Sequence, residues 1–348
     1  MAALRPSQEC LADRPDFGVR CYRLAHPPPP MVISMQRPDP WHGHCQLQFQ
    51  HHGDRTRHQG GCSAPFKLLR AEHGADGRCE MPLLHTAGGL VGGDQLSIHL
   101  DLGPNSRGLV TSVAAQKVYG SIGRSQVRPE GSWARQQVDC QLAPGSDLEW
   151  MPQELVLYAD ALYEQHVQVQ LAANASFLSA EIVRFGRTAA GETLAAGRWR
   201  SSLAIQRLNE DPHAPSRWEL VDRLELGGAG LNDLHGLNGQ PVFGTLVWAA
   251  PTPLQPDQLA QMLREARADR EGLEGTMRCS VLGQGLVARY AGPSSRDARF
   301  WFSRLWERTR HLRGLSQPQI PRVWPLQEQP LRRSMSTMNT AQATPATH

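Results

Sequence analysis

The sequence predicts a mainly β chain of layered sheets, with two α-helices confined to its C-terminal third. Three observations carry that expectation. Gln95 to Leu102 alternates polar and apolar residues without a miss, the period of a half-buried strand. Three stretches then share one plan: an alternating segment, a few small or turn-forming residues, and a second apolar segment. The linking runs are Leu102 to Leu109, Leu142 to Leu148 and Leu171 to Phe177. Helical periodicity appears only after residue 255.

Taken in order, residues 1–40 read as an extended or disordered leader, carrying Pro27 to Pro30 and then Pro38 and Pro40. Met31 and Met35 leave a downstream start open. From Trp41 strand patterns take over. Gln46 to Phe49 alternates, and a strand is expected after Pro65. Leu84 to Asp94 holds two glycine pairs, Gly88-Gly89 and Gly92-Gly93, around Leu90-Val91, which reads as a tightly folded loop. The three repeated units follow, either as stacked layers or as ordinary hairpins. Further strands are expected at Ser179 to Phe185, Leu203 to Leu208, Arg217 to Leu226 and Pro241 to Ala249. One helix should begin at Pro256 and run to Arg267. Another should span Arg296 to Leu312, with a hairpin around Gly283 to Gly285 between them. Residues 326–348 read as a disordered tail, leaving 41–325 as a single β domain.

Composition narrows the function. A formal charge of +3 over 348 residues is too small to argue for nucleic acid. Lys67 and Lys117 are the only lysines, and neither follows a glycine, so the phosphate-binding G-x-x-x-x-G-K-[ST] loop is absent. Seven scattered cysteines without a C-x-x-C pair point to a reducing compartment, and no apolar run reaches the ~20 residues of a membrane span. A cytoplasmic address is expected.

Candidate chemistry is sparse, with no G-x-S-x-G and no H-E-x-x-H. Histidine and cysteine crowd His42, His44, Cys45, His51, His52, His58 and Cys62, and a β-rich metalloenzyme using His42, His44 and Cys45 is the alternative function. Their spacing matches no structural zinc tetrad. Nine tryptophans raise a carbohydrate-binding module, which would need exposed aromatics. His85 and Asp94 bracket the glycine loop, as an acid–base pair or with Asp94 bonding the loop's own amides. Glu181 lies in Phe177 to Phe185, apolar on both faces, so its carboxylate must be protonated, face an internal wet passage, or pair with Arg184 or Arg187. Lys117 sits in an apolar run and invites the same argument.

Four separated motifs resemble one family. They are Leu84 to Asp94, Thr111 to Ser121 (Thr-Ser-Val-Ala-Ala-Gln-Lys-Val-Tyr-Gly-Ser), Leu148 to Glu154 (Leu-Glu-Trp-Met-Pro-Gln-Glu), and Phe185 to Glu192 with Gly197 after it. In order and spacing, from about Trp41 to Pro325, the chain is similar to the urease accessory protein UreD family, called UreH in some lineages. The resemblance implies two β-sheets in a helical, solenoid-like arrangement, no enzymatic activity, and no tightly bound cofactor. It also implies direct binding of UreF, indirect binding of the GTPase UreG, and docking on apo-urease during nickel delivery, with transient Ni²⁺ passing through an internal tunnel.

A route for a cation wants weak oxygen ligands, since thiolate–imidazole sites hold Ni²⁺ too tightly. Within the resemblance this favours Glu181, Glu192, Glu219 and Asp94 as path residues. Gly88, Gly89, Gly92 and Gly93 are then architectural. Trp301, Phe302 and Trp306 on the last helix would dock the partner if exposed.

Overall fold

The computed structural model describes residues 40–211 and 213–333. The proline-rich leader before residue 40 and the tail from residue 334 lie outside the described residues. The chain begins with β1 (His42–His52), β2 (Arg55–Cys62), β3 (Phe66–Leu68), β4 (Glu72–His73) and β5 (Cys79–His85). It continues with β6 (Gln95–Leu102), β7 (Arg107–Ser112), β8 (Gln116–Val118), β9 (Ala134–Leu142), β10 (Asp147–Met151), β11 (Leu155–Leu157), β12 (Leu162–Leu171) and β13 (Ser176–Phe185). After these come β14 (Arg198–Arg207), β15 (Arg217–Leu226), β16 (Val242–Ala249), α1 (Pro256–Ala268), β17 (Thr276–Leu282), β18 (Gly285–Gly292) and α2 (Ser295–Leu312). The fold is mainly β, with two sheets and two helices near the C-terminus.

One sheet has the order β15-β14-β12-β9-β6-β1-β2, and the other runs β17-β18-β16-β13-β10-β7-β5-β3 with short strands attached. The repeated units are not hairpins. β6, β9 and β12 lie side by side and parallel in the first sheet, while β7, β10 and β13 do the same in the second. Each turn therefore carries the chain from one sheet to the other. Parallel strands need a long crossover, usually a helix. Here a strand of the opposite sheet is part of that crossover, so the first sheet is parallel at its centre yet keeps an alternating, half-exposed pattern.

The turns themselves stack. Ala143 donates its N–H to Leu102 O (2.9 Å) and Ala172 donates to Leu142 O (2.9 Å), while Asp147 donates to Ser106 O and Ser176 to Ser146 O, both at 2.9 Å. Equal turn lengths follow, because each turn meets its neighbour's hydrogen bonds in register.

Two cores result. Between the sheets pack Leu47, Ile98, Val138, Val169, Phe177 and Val183. The outer face of the second sheet, through Leu178, Ala180, Ile182 and Leu246, packs on the helices. Helix α1 opens on a capping box between Gln255 and Gln258 with proline in its first turn. Helix α2 is capped by Ser294, whose hydroxyl accepts from Asp297 N at 3.1 Å.

Trp301, Phe302 and Trp306 are each 0 % exposed. Trp301 donates its indole N–H to Ala266 O at 2.9 Å, tying α2 to α1. These three aromatics are core residues, which corrects the expectation that they form a docking face. Among the described residues no helix is long and apolar enough to cross a membrane.

Candidate functional site: a polar interior between the sheets

Strand β13 is buried on both faces, as its sequence requires. Leu178, Ala180 and Ile182 point to the helices, while Phe177 and Val183 point to the other sheet. Glu181 shares that inward face. Neither Arg184 nor Arg187 reaches it. Arg184 bonds Thr188 at 2.7 Å, and Arg187 turns to Glu192. Glu181 instead accepts a short hydrogen bond from the amide of Gln165, across the interior on β12. Gln165 also donates to Ser201 at 3.2 Å.

Two small adjoining voids meet at Glu181, and Trp150 and Val167 line both. The larger, about 60 Å³, is bordered by His85, Ser112, Gln116, Gln136, Gln153 and Gln165. The smaller, about 20 Å³, is bordered by Ser179, Ser201, Asp222 and Thr245. A water takes up roughly 30 Å³ of liquid, so the larger void has space for about two. Glu181 is half-buried and borders both of these small pockets. Burial pushes its pKa up to about 7, opposed by the Gln165 hydrogen bond, reinforced by Asp222 and opposed by Arg289. At the far end, burial holds the His85 imidazole below its ordinary value, with Asp94 opposing, and its buried Nε2 has no hydrogen-bond partner in the protein.

The other expected path residues lie elsewhere. Asp94, 0 % exposed, accepts from Val91 N within its loop and from Trp41 N just before β1, both at 2.8 Å, and so folds the loop and ties it to the start of β1. Glu192 is at the surface in an ion pair with Arg187, whose guanidinium also lies 4.7 Å from the centre of the Tyr158 ring. Glu219 is buried between Arg207 and Arg217, both at 2.6 Å. Only Glu181 of the four borders the voids. Lys117 is exposed on β8, so the enclosure expected for it is corrected: the chain around it is an edge, with one face open.

The glycine loop packs Leu90 into the core and bridges to Val118. Gly89 holds φ +153°, and a Cβ there would lie 2.6 Å from the Tyr119 ring; one on Gly92 would lie 2.2 Å from Ser121 Oγ. Gly88 and Gly93 carry positive φ at the loop's bends. The loop is shaped by close approach to the segment after β7.

The histidine–cysteine alternative fails on geometry. Along β1, His42 and His44 face outward while Cys45 is fully buried on the opposite face, so they cannot share an ion. Among the described residues no three His, Cys, Asp or Glu side chains are grouped to hold a metal.

The family model described as UreD urease accessory protein matches residues 42–325. The chain belongs to the UreD family. Relatives named urease accessory protein UreD agree with it over most of their length. The protein of Synechococcus sp. (strain WH7805) is 73 % identical over 319 residues, 90 % of this chain and 100 % of that one. Those of Prochlorococcus marinus (strain MIT 9303) and Synechococcus sp. (strain RCC307) are 59 % and 52 % identical, covering 83 % and 87 % of this chain and 98 % and 96 % of theirs.

The UreD match ends at residue 325, yet packing continues past it. Arg296 pairs with Glu328, and Arg304 donates to Arg332 O at 2.9 Å. A buried ionic network in this UreD chain escaped sequence reasoning altogether. Glu149 and Asp147 on β10 meet Arg310 (2.9 Å to Glu149) and Arg313 (2.7 Å to Asp147) from the end of α2, and Arg78 (2.8 Å to Asp147) from the other side. The available signal was acids set in the otherwise apolar strand Asp147-Leu-Glu-Trp-Met151, as the lone carboxylate of an apolar strand is for Glu181.

Proposed function

We propose that this chain is a non-catalytic accessory protein of urease maturation. It binds UreF directly and, through it, UreG on apo-urease, and Ni²⁺ passes as cargo through the polar interior between its sheets. GTP hydrolysis falls to the partner, in keeping with the missing phosphate loop. The single observation supporting the passage is Glu181: a carboxylate between two sheets, bonded to a neutral amide rather than to an arginine, where two voids meet.

Its surroundings favour a cation in transit. Amide, hydroxyl and carboxylate oxygens from strands of both sheets border the voids, and such ligands exchange readily. A carboxylate that titrates near neutrality can give up a proton as a cation arrives and take it back afterwards. No tightly bound cofactor is needed for this role.

The test is urease matured in cells carrying Glu181→Ala. The variant should fold, co-purify with its partners, and yield urease with well under half the normal nickel per active site. Normal nickel content would remove Glu181 from the route.

A further inference from the structure

We propose that the Arg289–Asp222 ion pair is a gate on this passage, and that a divalent cation enters by displacing the Arg289 guanidinium from beside Asp222 and Glu181. The inference rests on the passage reading above and adds its mouth and its resting counter-ion.

The pair joins the two sheets directly. Asp222 lies on β15, at the edge of the first sheet, and Arg289 on β18 of the second, with Nη2 to Oδ2 at 2.7 Å. Asp222 borders the smaller void, opposite Glu181 and beside Ser201 and Thr245. Arg289 also donates to Thr245 Oγ1, so one guanidinium spans both walls at that end. The Arg289 side chain is 30 % exposed and that of Asp222 is 18 %, so solvent reaches the pair from outside while the void lies within.

Charge count separates this pair from the structural ones. Glu149, Glu219 and Asp269 are each held by at least two arginines. Asp222 and Glu181 share the influence of one, Arg289. With both carboxylates ionised, a single guanidinium leaves one negative charge unmatched, whereas a divalent cation matches both. The hydroxyls of Ser179, Ser201 and Thr245 add neutral oxygen ligands. Trp199 lines the same void at 1 % exposure, and its buried indole N–H meets no protein acceptor, which suits a hydrated ion whose water takes that bond. Displaced, the guanidinium keeps a resting place, since it already lies 5.5 Å from the centre of the Phe243 ring.

The experiment is equilibrium dialysis of the purified full chain against NiCl₂, with exposed histidines giving a background common to all variants. Arg289→Leu should bind one Ni²⁺ about tenfold more tightly than wild type, and adding Glu181→Gln or Asp222→Asn should abolish the gain. An unchanged affinity in folded Arg289→Leu, or a gain that survives Glu181→Gln, overturns the gate. Should Arg289→Leu melt below the assay temperature, Arg289→Lys replaces it. Its single ammonium cannot span Asp222 and Thr245 as a planar fork does, so affinity should rise about threefold, and no rise overturns the gate. If Glu181→Ala lowers urease nickel while both Arg289 variants bind Ni²⁺ as wild type does, the passage stands and the gate falls.

Discussion

Glu149, fully buried, and Glu181, half-buried, sit on adjacent strands of one sheet and face opposite sides. On the helix side, Glu149 meets Arg78, Arg310 and Arg313, which hold its carboxyl well below the usual carboxylate range against the opposing effect of burial. On the inner side, Glu181 meets a neutral amide, and burial wins, raising it to about 7. The difference teaches that enclosure alone assigns no role to a buried acid. Its partners decide whether it is a rivet between elements or a group free to exchange what it binds.

The comparison breaks most visibly at the rivet. Glu149→Ala leaves the guanidinium groups of Arg78 and Arg310 buried and short of a partner, a loss of about 3–5 kcal/mol. Urea unfolding should show it as a large fall in midpoint; a loss under about 1 kcal/mol would mean that α2 is held by its aromatics alone.

A smaller effect of opposite sign is expected at Glu181. Its native pKa, about 7, lies above the ordinary 4.5, so between those values the folded chain keeps a proton that the unfolded chain has released. Stability therefore falls as pH rises through that window. Glu181→Gln removes the dependence, and by pH 8 the variant should exceed wild type by about 1–3 kcal/mol, with little difference at pH 5. Melting curves at both pH values check this, and an equal offset at both would show that Glu181 is solvated. Least of all should come from the surface pair: Arg187→Ala or Glu192→Ala should leave both the melting temperature and urease nickel content unchanged, which separates Glu192 from the path that Glu181 lines.

Much of the fold was legible because its signals are local. Arg217 to Leu226 and Pro256 to Arg267 announce β15 and α1 through period and capping, and the structure places their bounds within a residue. The turn repeat was equally plain, but pairing was not: β6 bonds β9 some forty residues on, and nothing in either strand marks that partner. Strand β2, Arg-Thr-Arg-His-Gln-Gly-Gly-Cys, is a polar edge without alternation, and β5 carries Pro82 and is apolar on both sides. Helix α2 misled because it is buried nearly all round. Arg299, Arg304 and Arg310 look like a solvated face but find acceptors inside, so the aromatic stripe left no exposed side to read. Glu181 was found because one carboxylate interrupts an apolar strand, whereas the Arg78–Asp147 contact joins residues 69 positions apart.

The stacked turns also set where such a chain can lengthen. A residue added between β6 and β7, β9 and β10, or β12 and β13 would slide one storey of the stack against those above and below, turning inward-facing side chains outward along two strands at once. The connections at residues 119–133, 186–197 and 227–241 leave the stack before returning, and so can absorb extra length without disturbing any floor. Size differences among chains of this architecture should therefore gather at those three exits, with the storeys themselves held to a constant count.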